Sequence, residues 1–83
     1  MCYVYILKGL KTGEFYKGIT NNLNRRLTEH LTGNSFSTRS MIPLKLVHVE
    51  ICKDRKDARL LEKYYKSGSG RETLKYFAEV VKW

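Results

Sequence analysis

The chain predicts an α+β fold: a three-stranded, mostly antiparallel sheet flanked by helices, in the order β-β-α-β-α-α. Three observations carry this. Three segments have the composition or alternation of strands, and three others repeat apolar residues at helical spacing. The first two strand-like segments are joined by a turn too short for anything but a hairpin. With 83 residues, positions 1–83 are read as one domain with a small core. No repeat, low-complexity tract or linker divides them.

Cys2 to Lys8 is rich in Tyr, Val and Ile, as a strand requires. Gly9 to Gly13 supplies a turn, and Glu14 to Ile19 a second strand antiparallel to the first. A four-residue loop, Gly9 to Thr12, would set Lys8 opposite Gly13 and Tyr5 opposite Tyr16. The two phenols also share a face if the register moves by two, but a slip of one separates them. Thr20, Asn21 and Asn22 offer N-caps for a helix whose core stripe is Leu23, Leu27 and Leu31, and Gly33 fits its C′ position.

Asn34 to Pro43 reads as a polar loop. Leu44 to Cys52 alternates, with Val47, Val49 and Ile51 on one face and His48 and Glu50 on the other. Asp54 can cap a second helix with Ala58, Leu61 and Tyr65 inward, and Asp57 stands at its N3 position. Ser67-Gly68-Ser69-Gly70 ends that helix. Ser69 and Glu72 have capping-box spacing for a third, which turns Leu74, Phe77, Ala78 and Val81 inward.

The formal charge is +8, from sixteen Lys and Arg against eight Asp and Glu. So large an excess in a small domain favours a polyanionic partner, although a basic surface also keeps small proteins soluble. No run of residues suits a membrane span or a signal peptide, so a cytoplasmic location is expected. Cys2 and Cys52 lack metal-binding spacing and read as two reduced, packed thiols.

Several side chains have chemical potential. Arg26 and His30, four apart, lie on one helical face beside the leucine stripe, where they border the sheet or simply form a solvated edge. Tyr5 and Tyr16 can join them, although strand tyrosines are commonly core residues with satisfied hydroxyls. Glu62 sits on the flank of the second helix's apolar stripe, where a partly desolvated carboxylate needs a cation. A metal ion would serve, and so would an ordinary ion pair with Lys66 one turn later or with Arg59 or Lys63 nearby. Gly18 permits close approach of a phosphate or of another backbone, or accommodates a bulge. Lys17, Arg25, Arg39, Lys66 and Arg71 are candidate nucleic-acid contacts, and His48 reads as structural.

Taken in order, these residues resemble the GIY-YIG nuclease superfamily, and most closely its short single-domain bacterial members. The two tyrosine tripeptides stand as Tyr3-Val4-Tyr5 and Tyr16-Lys17-Gly18. Asn22-Leu23-x-x-Arg26-Leu27-x-x-His30 follows, then the Ser37-Thr38-Arg39 loop leading to Pro43, then the Leu61 to Arg71 segment containing Glu62. Five pieces in the right order are specific where no single piece is. Tyr3 replaces a glycine and Lys17 an isoleucine of the signature. Ile19 stands where some repair-type relatives have Lys, and Met41-Ile42 where relatives are often basic.

The resemblance implies a DNA endonuclease, with DNA preferred to RNA and DNA repair as a setting. Glu62 would hold one divalent cation, magnesium or manganese. Tyr5 is expected to take the proton from water, which requires its pKa to be lowered. Tyr16 would orient the water or phosphate, Arg26 would stabilise phosphoryl charge, and His30 would contact the phosphate or assist proton transfer. The rival expectation is a nucleic-acid-binding module on the same fold without turnover, and a weaker one is a protein–protein adaptor whose basic face docks an acidic partner. The oligomeric state is left open.

Overall fold

The computed structural model describes residues 1–80, excluding the side chains of 78–80. Strands β1 (Cys2–Gly9) and β2 (Phe15–Thr20) form the hairpin, and helix α1 (Leu23–Leu31) follows. A 3₁₀ turn at Arg39–Met41 leads to β3 (Leu44–Cys52), then α2 (Arg55–Lys66) and α3 (Gly68–Val80). The element order is the expected one. The sheet order is β2-β1-β3, antiparallel throughout, so β1 is central and β2 and β3 are edges.

The two faces of β1 seed two cores. Cys2, Val4 and Ile6 pack with Val47, Cys52, Ala58, Tyr65 and Leu74, beneath α2 and α3. Tyr5 and Leu7 pack with Met41 and Leu44 on the other face, where Leu23 and Leu27 of α1 lie against them. Every site residue therefore belongs to either an α1 layer or an α2/α3 layer.

The hairpin register differs from expectation by two residues. Lys8 pairs with Phe15, so Leu7 faces Tyr16 and Tyr5 faces Gly18. The turn is longer than expected, with Gly13 at φ 73° and the Gly13 N–H donating to the Gly9 carbonyl at 2.9 Å. An even shift keeps both phenols on one face. It also sets the Tyr5 ring over Gly18, where an added Cβ would collide with the phenol, which gives that glycine its reason.

Three other elements differ in detail. In β3, Ile6 pairs with His48 and Leu7 with Leu46, so Val47 is an extra, bulged residue. Val47 thus joins the α2/α3 core while Val49 lies in the α1 core, and Ile51 is exposed; the three do not share a buried face. In α1, Leu31 is exposed and His30 is buried. Seven residues return to the same helical face within about 20°, whereas eight overshoot by about 80°, so Leu23 and Leu27 are continued by His30. At the α2–α3 elbow, Ser67 rather than Ser69 is the cap: its Oγ accepts the Gly70 N–H at 3.2 Å. Gly70 is buried against the last-turn backbone of α2, at Tyr64 and Tyr65, where no Cβ fits.

The remaining caps agree with expectation. The Asn22 side chain accepts from Arg25 N–H, Asp54 accepts from Asp57 N–H at 2.9 Å, and Gly33 has φ 81°. Leu74 is buried and Phe77 packs beside it; the Ala78 side chain and Val81 lie outside the described residues.

Candidate active site

The α1 face of the hairpin gathers Tyr5, Tyr16, Arg26 and His30. Tyr5 and Tyr16 arrive from neighbouring strands through the even register, and Arg26 and His30 from one helix through their i, i+4 spacing. The Tyr5 and Tyr16 rings have centroids 6.2 Å apart, and the His30 ring lies 5.5 Å from Tyr5 and 5.0 Å from Tyr16.

A hydrogen-bonded chain runs through the cluster. Tyr5 Oη lies 2.8 Å from His30 Nε2, and His30 Nδ1 lies 2.7 Å from Thr38 Oγ1. All three residues are buried. Burial, followed by the Arg26 charge, holds the His30 pKa below its ordinary value, so the ring is neutral at neutral pH and carries one N–H. Arg26 also acts on Tyr5.

Burial, reinforced by Tyr16, pushes the Tyr5 pKa up to about 12, and the opposing influence of Arg26 is smaller. Tyr5 is 1% exposed. The expected role for Tyr5, a phenol of lowered pKa meeting water, therefore does not suit its surroundings. Nor can His30, with no exposed surface, touch a phosphate in this conformation. Tyr16 is the half-buried phenol of the pair and Arg26 the half-buried cation. Arg26 Nη1 donates to Glu29 Oε1 at 3.3 Å, and its charge also acts on both phenols. Burial opposes that charge, but the phenols and Glu29 outweigh it and raise the Arg26 pKa further.

Glu62 stands apart from this cluster, on α2 in the other layer. Its side chain is 25% exposed and Lys66 Nζ lies 3.4 Å from Oε1, one of the ion pairs that the sequence allowed. Helix α2 packs against β2 as well as β1. Lys17 projects from β2 opposite in sense to Tyr16 and Gly18. Burial, then the charges of Arg71 and Lys66, lower the Lys17 pKa. Lys17, Lys66 and Arg71 thus form a basic cluster where β2, α2 and the start of α3 meet. The β2 edge separates this cluster and Glu62 from Tyr16 and Arg26.

Arg25 is exposed on α1, and Arg39 is exposed with its guanidinium 5.6 Å from the Phe36 ring centroid. Met41 fills the α1-side core. His48 is structural, as expected: its Nε2 lies 3.1 Å from Glu50 Oε1 and its ring stacks on Phe77 at 4.4 Å. Cys2 and Cys52 are free, buried thiols.

Sequence reasoning missed Glu29, which carried a usable signal in its i+3 spacing from Arg26. It named Thr38 only within the Ser37-Thr38-Arg39 loop and gave it no role, because a loop returning eight residues later onto a helical histidine has no periodicity.

A two-tyrosine hairpin, an Arg/His helix and a later glutamate define the class, and comparison agrees. Residues 1–75 match the model of the GIY-YIG catalytic domain, and the chain belongs to the GIY-YIG family, which has a nuclease-type fold. Its relatives include UPF0213 proteins. One from Bacillus licheniformis is 33% identical over 78 residues, covering 93% of this chain and 79% of that protein. One from Clostridium perfringens is 39% identical over 75 residues, covering 89% and 80%. The solution NMR structure of a UPF0213 protein from Bacillus halodurans superposes with a TM-score of 0.54 at 32% identity, over 89% of this chain and 82% of that one. Among the described residues, no helix is long and apolar enough to cross a membrane.

Proposed function

We propose that the chain is a metal-dependent endonuclease that hydrolyses phosphodiester bonds in DNA. The observation that carries this is the gathering of two phenols, a guanidinium and an imidazole on one sheet face, with a half-buried carboxylate on α2 in the layer across the sheet.

The donor set suits magnesium or manganese. Glu62 offers one carboxylate, and among the described residues no three of His, Cys, Asp and Glu come together. One carboxylate suits an ion that keeps most of its waters and binds substrate phosphate. When bound, the cation would supply Lewis-acid polarisation of the phosphate and neutralise charge on the departing 3′-oxygen. Lys66 must release Glu62 for this, which an exposed i, i+4 pair worth about 0.3–0.5 kcal/mol permits.

The protein's own groups divide the remaining work. Tyr16, the solvent-side phenol, takes the proton of the attacking water, with Arg26 beside it to stabilise the phenolate. Arg26 also neutralises phosphoryl charge as it develops. Tyr5, His30 and Thr38 act as a buried chain that fixes the Tyr5 ring over Gly18 and gives Tyr16 a rigid neighbour. Lys17, Lys66 and Arg71 receive phosphates on the α2/α3 side of the edge, and Arg25 and Arg39 on the α1 side.

The test is nicking of supercoiled plasmid DNA with magnesium or manganese. Glu62→Gln and Arg26→Ala should each slow nicking by about 10²-fold or more, on the scale of losing one transition-state contact, with the fold intact by circular dichroism. Unchanged rates in both variants would refute the assignment. The burial of Tyr5 and His30 and the Lys66 ion pair on Glu62 favour one rival, a nucleic-acid-binding module without turnover. Salt-sensitive DNA binding by the wild-type protein, with no nicking in either metal, would establish that rival instead.

A further inference from the structure

Phe36 is the most exposed large apolar side chain among the described residues, at 87% of its surface. Water-exposed aromatic rings are usually tolerated on loose chain, but this one is mounted on a fixed loop. The Asn34 and Ser35 N–H groups both donate to the Glu29 carbonyl, at 2.9 and 3.1 Å, and Thr38 N–H donates to the Ser35 carbonyl at 3.3 Å. Ser35 and Thr38, on either side of Phe36, are buried. Thr38 holds His30 at 2.7 Å. Two Cα steps of about 3.8 Å keep Phe36 within about 8 Å of Thr38, along the chain that leads into the candidate site.

The ring also has a charged companion, the Arg39 guanidinium 5.6 Å from its centroid. An exposed aromatic face with a cation beside it, on a chain of net charge +8, complements a flat, π-faced group attached to an anion. A nucleobase on its phosphate has that form. A base within a duplex has both faces covered by its neighbours, so a ring of this kind can stack only on a base that is unpaired or unstacked.

We propose that Phe36, with Arg39, is a stacking platform for an unpaired nucleobase next to the hydrolytic site, and that the substrate is single-stranded or locally opened nucleic acid. The proposal rests on the endonuclease reading for its biological sense, but the binding it predicts does not need turnover.

The experiment is fluorescence anisotropy in EDTA with wild type, Phe36→Ala and Phe36→Trp. The probes are short oligonucleotides of one sequence as single-stranded DNA, single-stranded RNA and blunt DNA duplex. Phe36→Ala should weaken single-strand binding by about tenfold and duplex binding by less than about twofold, whereas Phe36→Trp should retain binding. In Phe36→Trp, a single strand should quench the new indole and a duplex should not. The DNA and RNA arms show which sugar the platform accepts. Single-strand affinity in Phe36→Ala within about twofold of wild type, or an equal loss on duplex, overturns the proposal, as does loss of self-association in sedimentation without loss of binding. An absence of nicking by wild type, with the Phe36→Ala defect intact, rejects the nuclease reading and leaves the platform standing.

Discussion

At the scale of single residues, the site is governed by burial. His30 is neutral because burial depresses its pKa. A depressed folded-state value means that the unfolded chain takes up the proton first. His30 therefore contributes stability that is complete above its unfolded pKa, near 6.5, and that declines as pH falls through the folded value. Denaturant unfolding between about pH 7 and pH 5 should show this decline, and His30→Gln should flatten it. Tyr5 and Tyr65 have the opposite sign. Burial pushes both up to about 12, and for Tyr65 Glu50 adds to it. Stability from these neutral phenols is present below about pH 10 and is lost as pH rises toward 12. A spectrophotometric titration should find two phenols ionising late, and Tyr5→Phe should remove one of them.

The two site tyrosines should separate in the same measurements. Tyr5→Phe leaves buried His30 Nε2 without its partner and should destabilise the fold by about 1–3 kcal/mol. Tyr16→Phe, at a half-buried position, should leave stability within about 0.5 kcal/mol of wild type. Its nicking rate should nevertheless fall by about 10²-fold or more. Equal stability losses, or full nicking by Tyr16→Phe, would reverse the roles proposed here. Which phenol faces solvent was not legible in the sequence, because Tyr5 and Tyr16 look alike until α1 and the Thr38 loop cover one of them.

At the scale of elements, two glycines set the geometry by close approach. In an ordinary helix, Gly→Ala stabilises by roughly 0.5–1 kcal/mol. Gly70→Ala should do the reverse, since its Cβ would enter the backbone of α2 at Tyr64 and Tyr65. Thermal unfolding should show a loss of at least about 1 kcal/mol, in the range of overpacking. Gly18→Ala should displace the Tyr5 ring, reducing both stability and nicking although Gly18 has no chemistry of its own. Stability equal to wild type for Gly70→Ala would mean that the elbow is looser than its contacts indicate. The caps at Asn22 and Asp54 were legible because capping depends on residues three apart. The Val47 bulge was not, because an extra residue in β3 is defined only against β1, to which it pairs across the sheet.

At the scale of the whole molecule, positive charge is distributed over both layers and meets at β2. Lys17 is held there against the charges of Arg71 and Lys66 and against its own burial. Such crowding is relieved when an anion binds. Lys17→Ala should weaken DNA binding in proportion across sequences and reduce the slope of log affinity against log salt by about one unit. An unchanged slope would place the phosphates elsewhere. A strand contacting both Arg26 and Glu62 has to cross the β2 edge, so the substrate path is a property of the layered sheet rather than of either helix.

Sequence alone determined the element order, the caps of α1 and α2, the family, the Arg26–His30 face and the list of candidate residues. Each of these depends on identity and local spacing, which a 3.6-residue or two-residue period makes readable. Only the tertiary structure decided that the hairpin register is shifted by two, that Tyr5 and His30 are buried while Tyr16 is half-buried, and that Glu62 lies in the layer across the sheet from them. It also joined Thr38 to His30 and lifted Phe36 into solvent. Those outcomes depend on which faces pack together, and burial, with the pKa shifts it imposes, exists only once distant segments have met.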